Sequence, residues 1–133
     1  MRSTELNLRT GDRAVTDVTD AVAEFAHGAT DGLLNVFVRH ATAGVGLMET
    51  GSGSEHDLDD ALQRLLPRDD RYVHKHGSRG HGAHHLLPIL VSPSVTIPVR
   101  GGRLALGTWQ RVVVVDPNPD NPERTVLLSL LEG

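Results

Sequence analysis

The hydrophobic residues of this chain come in runs of strand length, cut short by glycine and proline, and that pattern limits the folds open to it. The clearest run is Leu33-Leu-Asn-Val-Phe-Val-Arg-His40, which Gly32 opens and which suits a largely buried strand. Thr4 to Thr10 alternates, with Leu6 and Leu8 on one face, as a half-buried strand would. Ala43 to Met48, Val95 to Val99 and Arg124 to Leu131 read as further strands. Leu104 to Val115 holds one or two more around Gly107, ending in Val112-Val-Val-Val115. Gly11-Asp12, Gly51 to Ser54 and Arg100-Gly-Gly-Arg103 are the turns between them.

Helical spacing is confined to three places. Val18, Ala21, Val22, Phe25 and Ala26 form one stripe, with Thr16 or Asp17 as N-cap and Gly28 as the stop. Leu58, Leu62 and Leu65 or Leu66 form another, with Ser54 as N-cap, Glu55 and Asp57 in the first turn, and Pro67 after it. Ala83 to Val91 reads as a short helix with Pro88 in its first turns. Strands dominate and neighbours suit antiparallel pairing, so the expected class is α+β, with two or three helices on a mostly antiparallel sheet or sandwich. At 133 residues, without an internal repeat or linker, residues 1–133 read as one domain.

Composition removes several function classes. A net charge of −4, with Lys75 as the sole lysine and the arginines dispersed, disfavours a nucleic-acid partner. There is no cysteine, so disulfides and thiolate metal sites are excluded. No apolar run approaches the roughly 18 residues of a membrane span, and the first residues lack an apolar signal region. The expectation is a cytoplasmic protein without a membrane partner.

Chemistry concentrates in one stretch. Five of the eight histidines, His74, His76, His81, His84 and His85, fall within a dozen residues. Imidazole is the commonest metal ligand and titrates near neutral pH. On a helix, His81, His84 and His85 would share a face at i+3 and i+4, and His74 or His76 could close a tetrahedral set from the preceding loop. The bland alternative is a solvated, glycine-rich loop. His40 ends a hydrophobic strand, and Glu49 lies nine residues on. As two hairpin strands they could bring an acid/base or ligand pair to one sheet end; a hydrogen-bonded strand-edge histidine is the plain alternative. Arg100, Arg103 and Arg111 could bind phosphate bidentately. Trp109-Gln110 could wall a pocket, although a lone Trp is ordinarily core.

Three blocks resemble the YjbQ-type family, described as secondary thiamine-phosphate synthases. They are Gly32-Leu-Leu-Asn-Val-Phe-Val-Arg-His-Ala-Thr-Ala43 with Glu49, then His81-Gly-Ala-His-His-Leu86, and then Ile97-Pro-Val-Arg-Gly-Gly-Arg-Leu-Ala-Leu-Gly-Thr-Trp-Gln110. Ala41 stands where the family has a first Thr, leaving Thr42, and His81 stands where it has Asn. The resemblance implies a compact α+β domain that forms homotrimers, with a histidine-containing site near a subunit interface. It implies a divalent metal, zinc by preference, or magnesium with a diphosphate substrate. By motif position, Glu49 and His40 are the catalytic candidates. Trp109 and Gln110 carry over as substrate-binding candidates, and His40, His85 and the loop residue His74 as metal ligands. Beside them, His81, an imidazole in place of the family's Asn, is a candidate added ligand, and Arg103 and Thr42 are further substrate-binding candidates. The implied reaction joins a pyrimidine-methyl diphosphate to a thiazole phosphate. A metal-dependent hydrolase, or a non-catalytic trimeric protein binding a metal or small anion, stays open beside it.

Overall fold

A computed structural model describes residues 1–133. The elements are β1 Arg2–Arg9, β2 Val15–Asp17, α1 Thr19–Ala26, β3 Gly32–Val38, β4 Gly44–Met48, α2 Ser54–Leu65, α3 His81–Leu90, β5 Ser94–Arg100, β6 Arg103–Leu104, β7 Arg111–Val115 and β8 Glu123–Glu132. One sheet has the order β1-β8-β3-β5-β6 and the other β2-β7-β4. Every pairing is antiparallel. The α+β class, with three helices, is as the sequence pattern anticipates.

The core explains the valine run. Val112 and Val114 face a cluster that includes Leu34, Val36 and Val38 of β3, Ile97 and Val99 of β5, Val126, Leu128 and Leu130 of β8, and Val22 and Ala26 of α1. Val113 and Val115 point the other way, against Leu62 of α2 and Leu87 of α3. Strand β7 is therefore covered on both faces, and both sets of alternating side chains are apolar. The layers run from the five-stranded sheet through the core to the three-stranded sheet, with α2 and α3 outside it.

Several boundaries differ from the sequence pattern for identifiable reasons. Val15–Asp17 is an edge strand rather than a helix entry, because β7 offers it backbone partners. Asp17 Oδ1 accepts the Thr19 N–H at 2.9 Å and its hydroxyl at 2.6 Å, so the chain passes from strand to helix without a loop. Ser54 sits inside α2, and the Glu55 carboxylate takes the Gly51 N–H at 2.8 Å. Helix α3 starts two residues early, at His81, after Gly80 in the left-handed region at φ 78°. No helix is long and apolar enough to cross a membrane.

Between β7 and β8, the loop Asp116–Pro122 is tied by a buried ion pair. The Arg124 guanidinium binds the Asp116 carboxylate, and their side chains are 1% and 0% exposed. Asp116 also accepts the Thr42 hydroxyl at 3.2 Å and the Asn118 N–H at 3.0 Å. Arg124 donates further to the carbonyls of Asn118, Asn121 and Glu123. Asp116→Ala would leave that guanidinium buried and unpaired, and should cost about 3–5 kcal/mol. Urea midpoints at neutral pH measure this. Asp116→Leu combined with Arg124→Met should recover much of the loss, and no recovery would mean that the pair itself is needed to close the loop.

Candidate metal centre

Four of the five clustered histidines come together, by two routes. His81 and His85 are one turn apart on α3, and their Nε2 atoms lie 2.7 Å from each other. His74 and His76 arrive from the loop before the helix. Tyr72 anchors that loop by donating its hydroxyl to the Pro67 carbonyl at 2.7 Å. Gly82 lets the loop lie on the helix: a Cβ there would meet Tyr72 Cβ at 2.5 Å and the His74 carbonyl oxygen at 2.7 Å. Ring centroids are then 4.4 Å apart for His74 and His76, 4.5 Å for His74 and His85, and 4.4 Å for His76 and His81. One ring nitrogen from each of His74, His76 and His85 lies within 4.8 Å of the other two.

This donor set fits a borderline cation. Tetrahedral zinc with imidazole nitrogens at 2.0–2.1 Å separates its ligands by about 3.4 Å. Closing the present spacing to that value calls for rotation of His74 and His76, both of which are exposed. Burial, together with repulsion from His81, His74 and His76, pushes the His85 pKa down, so its ring is neutral and can offer a lone pair. A depression of about 250 Å³ adjoins the rings, lined among others by Asp70, Lys75, Ser78 and Arg79. Asp120 closes the other side. Its carboxylate accepts the Ser78 N–H and hydroxyl, each at 3.0 Å, and lies 3.2 Å from His81 Nδ1. The Ser78 N–H holds Asp120 below the usual carboxylate range.

His84 does not share the face of its neighbours. It turns inward, 3% exposed, and neither ring nitrogen has a hydrogen-bond partner. A third-position neighbour diverges by about 60° from the stripe that joins i and i+4, which is enough to bury it.

The remaining candidates are dispersed over the chain. His40 stands outside the histidine trio and in none of its ring pairs. It accepts the Thr125 N–H on Nε2 at 2.9 Å, so a neutral ring carries its proton on Nδ1. Burial, then the nearby Arg124 charge, lowers its pKa. Its own depression, about 570 Å³, is lined by Asn7, Arg9, Asn121 and Thr125 among others. Glu49 is not a hairpin partner of His40. Strand β3 pairs with β5 and β8, and β4 pairs with β7 in the other sheet. Glu49 follows the far end of β4 and is exposed. Thr42 is buried, its hydroxyl committed to Asp116. Arg103 and Gln110 share a third depression of about 510 Å³ with His27 and Arg111. Trp109 is 70% exposed on the β6–β7 loop, so the core reading of a lone Trp does not hold. The sequence reading gave no part to Asp116, Asp120 or Arg124. Their one signal was the Asx- and proline-rich run Asp116–Pro122.

Residues 4–133 match the family described as UPF0047 protein YjbQ-like. The chain belongs to the YjbQ/UPF0047 family. A UPF0047 protein of Mycobacterium tuberculosis is 62% identical over 128 residues, covering 96% of each chain. One from Archaeoglobus fulgidus is 32% identical over 127 residues, 95% of this chain and 99% of the other. Among solved structures, a hypothetical protein from Aeropyrum pernix is 35% identical with a TM-score of 0.90 over the whole of both chains. A YbjQ-like protein of unknown function from Sulfolobus solfataricus shares the fold, with a TM-score of 0.92 at 23% identity over 99% of this chain and 97% of the other. Family membership settles fold and ancestry, and the chemistry of this YjbQ-like chain rests on its own residues.

Burial, followed by the Arg68 and His81 charges, lowers the His84 pKa, against the opposing pull of Asp116 and Asp120. A histidine depressed in the fold takes up its proton on unfolding near its ordinary value of about 6.5. The stability it confers is therefore complete above that pH and is lost as pH falls toward the depressed folded value. Urea midpoints between about pH 8 and 5, with chelator present, should fall with pH. In His84→Leu the slope should lessen by up to one proton, and an unchanged slope would assign the proton uptake to His40 and His85.

Proposed function

We propose that this protein holds one divalent cation on His74, His76 and His85, with His81 beside them, and acts on a phosphorylated small molecule. The observation that carries this reading is the convergence of three imidazole nitrogens within 4.8 Å from a loop and the helix that follows it. Zinc is the preferred ion for an all-imidazole set, and magnesium would enter only with a diphosphate substrate. The ion would supply positive charge for a phosphate or diphosphate group. Lys75 and Arg79 line the adjoining depression and would receive the anion's other oxygens.

Within that class, the secondary thiamine-phosphate synthase reaction is the specific proposal. It transfers a pyrimidine-methyl group from its diphosphate to a thiazole phosphate and releases diphosphate. What the protein must supply is orientation of both partners and cationic stabilisation of the leaving group. His40, with Nδ1–H as its free donor, and Glu49 are the candidates for positioning and proton transfer. Arg103, Gln110 and Trp109 are candidates for substrate contact, and Thr42 would act through Asp116. These side chains occupy separate parts of one chain, so a common site would need a second copy. A homotrimer is the proposed assembly, supported by Leu33, Phe37 and Leu131, which are exposed on one face of the five-stranded sheet.

A non-catalytic trimer that binds a metal or small anion is the second reading. The exposure of His74 and His76 and the absence of a closed cavity around them favour it. A hydrolase with metal-bound water is the third. Untagged native protein, analysed for metal by mass spectrometry, should carry about one divalent ion per chain. His85→Ala should lose it with the fold intact by circular dichroism, and His40→Ala should keep it. Metal-free native protein would overturn the reading. Thiamine phosphate formed from the two phosphorylated precursors, and abolished in His85→Ala, would select the transferase. Stoichiometric anion binding without turnover would select the binding protein.

A further inference from the structure

His81 has two ring nitrogens with different surroundings. Nε2 lies 2.7 Å from His85 Nε2, inside the cluster. Nδ1 is sealed from solvent and makes no well-aligned hydrogen bond, but the Asp120 carboxylate lies 3.2 Å away, at ion-pair distance. Gly77 leaves room for that approach. A Cβ at this residue, which sits at φ 71°, would meet Asp120 Oδ2 at 2.7 Å and His81 Nδ1 at 3.1 Å.

Asp120 is itself held by three hydrogen bonds to two residues. Ser78 donates its N–H and hydroxyl to the carboxylate. The Asp120 N–H donates to Asn118 Oδ1 at 3.1 Å. The Asn118 N–H in turn donates to Asp116, the carboxylate buried against Arg124. A chain of polar contacts therefore runs from the buried ion pair to the back of one imidazole.

We infer that Asp120 positions His81 as the fourth imidazole of the metal centre, so that the Asp116–Pro122 loop sets the affinity of the site through one carboxylate. A carboxylate behind Nδ1 retains the proton there and leaves Nε2 as a lone pair. That is the tautomer a metal ligand needs, with its ring held in place. His85 then donates its Nε2–H to His81 in the metal-free protein. On metal binding the His85 proton would pass to its own Nδ1 through solvent, so that the ring stays neutral, and the hydrogen bond would give way to a coordinate bond from each Nε2 to the same ion. Zinc takes four nitrogens in tetrahedral geometry and the trio supplies three, so His81 would complete the resting set and a substrate phosphate would add as a fifth ligand. The inference rests on the metal reading above and adds one ligand to it, together with the residue that orients that ligand.

The test compares zinc affinity in the native chain with Asp120→Asn, His81→Asn, the double variant and Ser78→Ala, by competition against a chromophoric chelator. Cobalt absorption reports the donor set in parallel. Asp120→Asn should weaken zinc binding about 10–100-fold, with weaker and shifted cobalt bands. His81→Asn should do at least as much, and the double variant should be no worse than His81→Asn alone. Ser78→Ala removes a tie to Asp120 but keeps the carboxylate, and should stay within about threefold of native. Native affinity and cobalt spectrum in a folded Asp120→Asn, with only its melting temperature lowered, would make Asp120 a loop anchor and overturn the inference. If Asp120→Asn does not fold, His81→Asn decides: unchanged affinity there removes His81 from the ligand set. A native chain that binds no zinc would fail the metal reading itself, which distinguishes the two failures.

Discussion

The ion pair between Arg124 and Asp116 is the contact on which both polar regions of this protein depend. Taking a guanidinium and a carboxylate out of water costs several kcal/mol each, and their attraction offsets this only when the remaining donors and acceptors are also used. Here they are. The carboxylate takes a hydroxyl from Thr42, just before β4, and an N–H from Asn118. The guanidinium serves three carbonyls of the β7–β8 connection. One interaction thus fixes the entry to β4, the end of β7 and the start of β8 relative to one another. The next residue, Thr125, gives its N–H to His40. In the other direction, the loop that the pair closes delivers Asp120 to His81.

The fold was legible wherever burial imposes a period. The Val112–Val115 run is apolar on successive residues because β7 is packed on both faces, by Val112 and Val114 on one side and by Val113 and Val115 on the other. The alternation of β1 and the helical stripe of α2 were legible for the same reason. Strand partnership was not. His40 and Glu49 look like the two arms of a hairpin in the sequence, but both edges of β3 are taken by β8 and β5, and β4 pairs with β7. Those partners are dozens of residues away, and no local pattern records them. The edge strand β2 was hidden likewise, since three residues have no period and their partner comes a hundred positions later.

The histidine cluster divides along the same line. That His81 and His85 meet follows from helix geometry alone. That His84 faces inward follows from where the sheet lies, which the spacing does not contain. The approach of His74 and His76 depends on Gly82, whose missing side chain lets Tyr72 and the His74 backbone lie on the helix. Asp120 could not be found from spacing at all. Its position comes from the ion pair, and both partners of that pair look like ordinary surface charges in the sequence.

The dispersal of the family's motif residues is itself a physical statement. Within one chain, His40 borders one depression, Arg103 and Gln110 border another, and Trp109 and Glu49 stand exposed. Arg103 lies in β6 and the others closely follow or precede strands, so rigid elements hold them apart, and no small loop movement would gather them. At the same time, one face of the five-stranded sheet leaves Leu33, Phe37 and Leu131 in water, and the β6–β7 loop holds a Trp clear of the core. Apolar surface of that kind is more often covered than left wet. Assembly of the proposed kind would meet both demands at once, burying the sheet face while bringing the motif residues of one copy against those of another. The histidine trio makes no such demand, since a single chain already completes it. Metal binding and assembly are therefore separable properties of this chain, and a monomeric variant should still bind the ion.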